Sequence, residues 1–420
     1  MPPKQNKAAP LPPPCDEQPL VSIVVTAYNH LDYTRQCIDC LYEHTSHIPF
    51  ELIVINNGST DGTGAYFDTL KDAKKITFAQ NIGVDTAVNS GFAIARGKYT
   101  MNLSNDILVT HRWLDNLLAC IQSDPHIGMV VPVCNATSGY QQVNLGYQTL
   151  EQMQQMAAHY NRVSDPSKWE DRLRLITYTC LFPTRLQKEL GGFDEDFNPG
   201  GFDDDAMAFR IRRMGYRLVL AGDTFVHHFG SVTFSAEYTK SNLLERNRKL
   251  FQEKFGVDAW SATTIDHHLL SLCDLGHKGG VRLLGVGGSC GATLLQLKNL
   301  YRRQGENDVS IDYLAQYKRQ LPDLQTICRQ AVCAPISQLG EHFGGSLYHL
   351  IAVESETHGL TDPQALFARL KAMLAPGGRL IFTCAQLPTF LAILRGLGVS
   401  DIGSLGVVKD YYFSFEAPAQ

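Results

Sequence analysis

No uninterrupted apolar run in the 420 residues approaches the roughly eighteen needed to cross a bilayer, so no membrane-spanning helix is expected. Basic charge is not in excess either. Lys and Arg number 37 against 42 Asp and Glu, a net charge of −5, which argues against nucleic acid as a partner. The start of the chain has no positive cluster leading into an apolar signal segment, and the eleven cysteines are odd in number and scattered. The expectation is reduced thiols and a cytoplasmic protein, with peripheral association at the inner face of the membrane left open. Core material is plentiful: 44% of residues are hydrophobic and 19% charged, in a chain long enough for two domains.

Residues 1–18, "MPPKQNKAAPLPPPCDEQ", are rich in proline and poor in core formers, and read as a disordered or polyproline tail. From Val21 the pattern alternates. "VSIVVTAYN" and "ELIVINN" are short β-branched runs, and segments of helical period separate such runs, the rhythm of an α/β fold with a parallel sheet. Cys37, Cys40, Leu41 and His44 recur at i, i+3, i+4, i+7, as do Val84, Ala87, Val88 and Gly91, so both stretches are predicted to be helices covering the sheet. The helical face also accounts for "CIDC" (37–40) without redox or zinc chemistry, since no second pair stands at zinc spacing.

In open α/β sheets ligands bind outside the carboxyl ends of the strands. Polar residues gather at three such ends: Thr26, Tyr28 and Asn29 after the first run, Asn56, Asn57 and the "GSTDG" turn after the second, and Asp106 after "KYTMNL". Asp106 alone reads equally well as the cap of a helix beginning near Thr110. Further on, Asp203, Asp204 and Asp205 precede a short helix bearing Arg210, Arg212 and Arg213, and a strand "RLVLAG" leads to His227 and His228. Acid, base and imidazole are being brought to one rim.

These segments resemble the inverting glycosyltransferases of family 2, which have the GT-A fold. The likeness runs from about Val21 to Phe234 and rests on "VSIVVTAYN", "ELIVINNGSTDGT", "NIGVDTAVNSGFAIARGKY", "LSND", "GGFDEDF", "GGFDDD", "RRMGYR" and "VHHFGS", all in the family's order. The resemblance implies transfer of a sugar from a nucleotide-diphosphate donor to an acceptor hydroxyl, in cell-surface glycan or glycoconjugate synthesis. It implies a divalent metal, Mn²⁺ or Mg²⁺, held by an Asp-x-Asp motif. Here the matching residues are Ser104, Asn105 and Asp106, so Asp106 is the expected ligand, joined by His227 or, in its place, His228. It implies Asp204 as the base, with Asp203 where a glutamate is common. Thr26 to Tyr28, Asn56, Asn81, Gly83, Asn105 and Asp106 would line the nucleotide sugar. Relatives often carry an aspartate at Asn56 to accept from the base's imide N–H; an asparagine carbonyl still accepts but its amide also donates, so uridine is favoured only.

After "LLERNRKLFQEKFG" the rhythm restarts at "VRLLGVGGSCGATLLQLKNL". With "LYHLIAVES" and "LTDPQALFARLKAMLAPGGRLIFT", residues 281–388 resemble a class I S-adenosylmethionine-dependent methyltransferase, a smaller Rossmann-like domain. The family's acid near the first turn falls on Gly285. The resemblance offers Asp312 in "SIDYL" as the ribose-binding acid, yet it follows no convincing strand, and the stretch between Gly305 and Gly345 reads as too short for the usual succession of strands. The expected organisation is a tail at 1–18, a GT-A domain at 19–262 and a degenerate methyltransferase-like domain at 263–420 that does not bind S-adenosylmethionine and serves packing, homo-oligomer formation or acceptor docking. The acceptor, whether glycan, lipid-linked or protein, is not legible. A methyltransferase with a sugar-binding first domain and a non-catalytic nucleotide-sugar binding module are the alternatives.

Overall fold

A computed structural model describes residues 18–230, 242–354 and 362–384, with the segments 392–393, 395–396, 402–407 and 410–416. The proline-rich tail lies outside the described residues, apart from Gln18. The chain divides into two compact units, 1–251 and 252–420, eleven residues before the boundary expected from sequence.

Unit 1 opens with β1 (Val21–Ala27), α1 (Leu31–Thr45), β2 (Phe50–Asn57), β3 (Ala73–Phe78), α2 (Val84–Ile94) and β4 (Tyr99–Ser104). It continues with β5 (Ile107–Leu108), α3 (Trp113–Gln122), β6 (Ile127–Cys134), β7 (Trp169–Arg172), β8 (Thr179–Pro183), α4 (Asp203–Arg213) and β9 (Arg217–His228). The sheet order is β3-β2-β1-β4-β8-β6-β9-β5, with β7 also on β9. β1 is parallel to both β2 and β4, so it is covered on both faces, which is why its run is apolar throughout rather than alternating. The helices pack closely. A Cβ at Gly91 would lie 2.6 Å from Val24 Cγ1, so only glycine allows α2 to approach β1 this closely.

α1 turns Thr34, Cys37, Ile38, Leu41 and Thr45 inward, leaving Cys40 and His44 only half-buried. Cys37 is a core residue whose thiol burial pushes well up, and both cysteines of "CIDC" are free. α2 buries Asp85, Ala87, Val88, Gly91 and Phe92, so an acid takes an inward place and Val84 is only partly covered.

Unit 2 contains β10 (Val281–Gly287), α5 (Ala292–Arg303), β11 (Val309–Ala315), β12 (Gln330–Cys333), β13 (Tyr348–Val353), α6 (Pro363–Ala372), β14 (Leu374–Cys384), β15 (Ile402–Val407) and β16 (Asp410–Glu416). Its sheet runs β12-β11-β10-β13-β14-β16-β15. The first five strands are parallel, and β16 joins antiparallel. The expectation of too few strands between Gly305 and Gly345 is therefore corrected: β11 and β12 both lie there. β12 is four residues long and only partly buried, too short to show a period. Asp312 lies in the middle of β11 rather than beyond a strand, where it takes the Arg329 guanidinium and Tyr348 hydroxyl (2.9 Å). No helix among the described residues is long and apolar enough to cross a membrane.

Candidate active site

The site is built on the carboxyl side of β1, β2 and β4. After β2, the side chain of Asn57 ties down the "NIG" turn: its Nδ2 donates to Asn81 Oδ1 (3.1 Å) and Gly83 O (3.3 Å), and its Oδ1 accepts from Ile82 N (3.0 Å). Gly83 sits at φ 92°, and a Cβ there would lie 2.4 Å from Asn198 Oδ1. Gly83→Ala should therefore disturb this turn on both counts and cost about 1 kcal/mol or more, read as a lowered urea midpoint. Asn56 is buried, and its Oδ1 accepts from Ser59 N (2.9 Å). Contact with an imide N–H would have to use its second lone pair. Thr26 Oγ1 is buried and has no hydrogen-bond partner among the described residues, Tyr28 is half-buried, and Asn105 Nδ2 donates to Thr34 Oγ1 (2.9 Å).

Asp106 lies in the turn between β4 and β5. It is not the cap of α3: that helix starts at Trp113, and its N-cap, Arg112, makes no side-chain cap bond. The β5–β9 pairing sets Ile107 opposite His228 and Leu108 opposite His227. His228 Nε2 consequently stands 3.2 Å from Asp106 Oδ2, while its Nδ1–H donates to Ala136 O (2.6 Å). Burial alone would lower the proton affinity of His228, but the hydrogen bonds to Asp106 and the carbonyl win and raise it to about 10. Neighbouring strand residues face opposite ways, so His227 turns aside to Tyr147, whose hydroxyl is 2.6 Å from its Nδ1. Burial and the charge of His228 push His227 down to about 4. Of the two histidines, the one facing Asp106 is His228.

On the other side of the rim, Thr177 holds Asp204. Its backbone N–H donates to Asp204 Oδ1 (2.9 Å) and its hydroxyl donates to the same oxygen. Thr177 O in turn accepts from Asn102 Nδ2 (3.0 Å), on β4. The next residue, Tyr178, stacks on His228 with ring centroids 5.7 Å apart. Two adjacent residues therefore touch both halves of the site, and neither carries any pattern that singles it out in the sequence. Asp203 and Asp204 are half-buried, whereas Asp205 is 1% exposed and paired with Arg174 Nε at 2.7 Å. Burial raises all three carboxyls. Asp203, also repelled by Asp204, is pushed up to about 7, and Asp205 to about 6 against the pull of Arg174.

The sequence pattern described as Glycosyl transferase family 2 matches residues 22–174, which hold β1 to β4 and the Asp106 turn. Residues 22–174 of unit 1 carry the family 2 glycosyltransferase pattern. Similar proteins include an uncharacterized glycosyltransferase of Haemophilus influenzae, 31% identical over 113 residues, 26% of this chain and 35% of that one. The O-antigen biosynthesis protein RfbC of Myxococcus xanthus is 28% identical over 228 residues, 50% of this chain and 17% of that one. The chain thus spans well under two thirds of the length of these relatives. Among solved structures, a mannosyltransferase of Pyrobaculum calidifontis in complex with GDP-Man and Mn²⁺ has a TM-score of 0.37 and 22% identity, covering 54% of this chain and 60% of that one. The glycosyltransferase domain has the α/β architecture expected of the GT-A class, with the three polar strand ends on one side of its sheet.

Among the described residues no group of three or more His, Cys, Asp or Glu could hold a metal ion. The pair Asp106 and His228 nonetheless suits one. A carboxylate and an imidazole Nε2 point at each other, and the imidazole is oriented by a carbonyl on Nδ1, the usual second partner of a ligating histidine. Such a pair fits a cation whose remaining positions are filled by ligand oxygens.

Proposed function

We propose that unit 1 is an inverting transferase that moves a sugar from a nucleotide-diphosphate donor, a UDP-sugar first among those to test, to an acceptor hydroxyl. The observation that carries this reading is the Thr177–Tyr178 link, which sets the carboxylate Asp204 and the pair Asp106–His228 on one rim. A departing diphosphate gathers negative charge, and a divalent cation between Asp106 and His228 would neutralise it. Asp204 is the base: anchored through one oxygen, it keeps the other for the attacking hydroxyl. Thr26, Tyr28, Asn81, Gly83 and Asn105 line the donor in this reading, and Asn56 braces the turn beneath it. Turnover of a panel of UDP, GDP and dTDP sugars with and without Mn²⁺ tests the proposal. A chain that binds donors yet never turns one over would be a binding module instead.

The two histidines can be separated. His228→Ala should weaken Mn²⁺ binding by tenfold or more, roughly the scale on which oriented metal partners act, whereas His227→Ala should change it little. Calorimetric titration with Mn²⁺ decides, and the reverse order would return the ligand to His227.

For unit 2 the complete run of strands supports the methyltransferase resemblance, but the end of β10 is filled from within. Glu354 Oε2 accepts from Ser289 Oγ (2.5 Å) and Tyr313 OH (2.6 Å), and Ser289 Oγ accepts from Gly291 N (3.0 Å) in the glycine-rich turn. Gly285 supplies no carboxylate. This unit is accordingly a non-catalytic domain, and calorimetry with S-adenosylmethionine should show no binding; a micromolar dissociation constant would restore a second enzyme.

A further inference from the structure

α2 buries an acid that the proposed reaction does not use. Asp85, in its first turn, is 2% exposed, and its Oδ2 has no hydrogen-bond partner among the described residues. Its backbone N–H donates to Asn198 Oδ1 (3.1 Å), which pins that turn to the segment leading into α4. Thr86 Oγ1 donates to Glu195 Oε2 (2.7 Å), and Asn89 Nδ2 to Phe193 O and Glu195 Oε1 (both 2.9 Å), along the same seam. The charges acting most on Asp85 are Asp203, Asp204, Asp194 and Glu195, in that order. All are acids. The cations on the neighbouring segments have other partners: Arg174 pairs with Asp205, Arg210 donates to the carbonyls of Gly192 (2.8 Å) and Leu190, and Arg246 donates to Asn198 O (2.7 Å). Desolvation and like charge both favour the proton-bound carboxyl, and together they push Asp85 up to about 9.

Resting on the assignment of Asp203 and Asp204 to the acceptor side, we infer that Asp85, a buried carboxyl whose Oδ2 has no partner among the described residues, is a positioning residue for them through the seam that pins α2 to the segment leading into α4. Ionised, it would set a third negative charge against them and strain the seam between α2 and residues 192–202.

Asp85→Asn keeps shape and neutrality. The sign of the stability effect follows from the two states. The unfolded chain ionises this carboxyl near pH 4, whereas the folded chain holds the proton to about pH 9, so between those values rising pH favours unfolding of the wild type through Asp85. The Asn variant lacks that penalty. Its urea midpoint relative to wild type should rise steadily from pH 5 to 9, and Asp85→Ala, whatever its offset from lost packing, should show the same slope. With donor and acceptor, the Asn variant should keep kcat at pH 7 within roughly a factor of three, because a protonated Asp and an Asn carry the same charge. The wild type should lose activity as pH rises through about 9, and the Asn variant should lack that fall. PH-independent differences in urea midpoint for both variants would overturn the inference, as would a hundredfold loss of kcat at pH 7 in a folded Asn variant. Absence of transfer by the wild type with every donor would refute the assignment of the rim, and the urea series would then decide alone whether Asp85 holds its proton.

Discussion

Asp204→Asn should lower glycosyl transfer by roughly 10²- to 10⁴-fold, the usual worth of a general base, while donor binding persists. The substitution keeps the shape that Thr177 grips, because an amide oxygen accepts from the Thr177 N–H and hydroxyl as a carboxylate does. Only basicity is removed. Three aspartates in a row invite the objection that any would serve, and the structure separates them. Asp205 is fully buried against Arg174 and cannot reach an acceptor, so Asp205→Asn should act on stability, by weakening the partner of a charged Arg174, more than on rate. Asp203 accepts from Gly201 N (2.6 Å) at the start of α4 and should show an intermediate loss through orientation. Single-turnover rates with matched donor affinities and melting temperatures check the order. A larger rate loss for Asp205→Asn than for Asp204→Asn at equal stability would reassign the base.

Asp106→Ala should abolish metal-stimulated turnover and leave the fold intact. Asp106 is half-buried in a turn, outside the packed core, and its backbone carbonyl, which accepts from Phe229 N (3.1 Å), is untouched by the change. What the substitution removes is the carboxylate facing His228, which is the whole anionic part of the proposed cation site. Mn²⁺ titration of the unreacted protein supplies a second reading, since binding should fall whether or not a donor is turned over. Undiminished Mn²⁺ stimulation in a variant with native melting behaviour would count decisively against Asp106.

How much of this was legible in the sequence depended on whether the signal was local. The strand runs at 21–27 and 50–57 and the polar groups at their ends are local, and they stand where they were expected. The choice between His227 and His228 is not local: it is set by which residues of β9 pair with the two residues of β5, and a shift of one would exchange them. Asp85 was hidden for another reason. An acid beside an apolar stripe reads as the solvent edge of a helix, and only the docking of residues 192–202 turns that edge inward. Thr177, Asn102 and Asn57 act through hydrogen bonds to partners 24 to 75 positions away, which no periodicity records. In unit 2 one of the two missed strands, β12, has four partly exposed residues, too few for hydrophobic alternation to register, whereas β11 is a seven-residue buried strand interrupted by Asp312, whose charge masks the apolar run.

The two-residue strand β5 has a consequence for how the site handles its ligands. Asp106 and His228 are brought together by a ladder of only Ile107 and Leu108 on the last strand of the sheet order, so few backbone bonds, rather than a long ladder, oppose its opening. Amide hydrogens of residues 106–108 should therefore exchange with deuterium much faster than those of β1, which has a parallel neighbour on each side. A ligand bridging the carboxylate and the imidazole would close that opening and slow the exchange. The affinity measured for it would then include the cost of stitching this edge shut, and a variant that stiffened β5 would bind more tightly without touching the ligand.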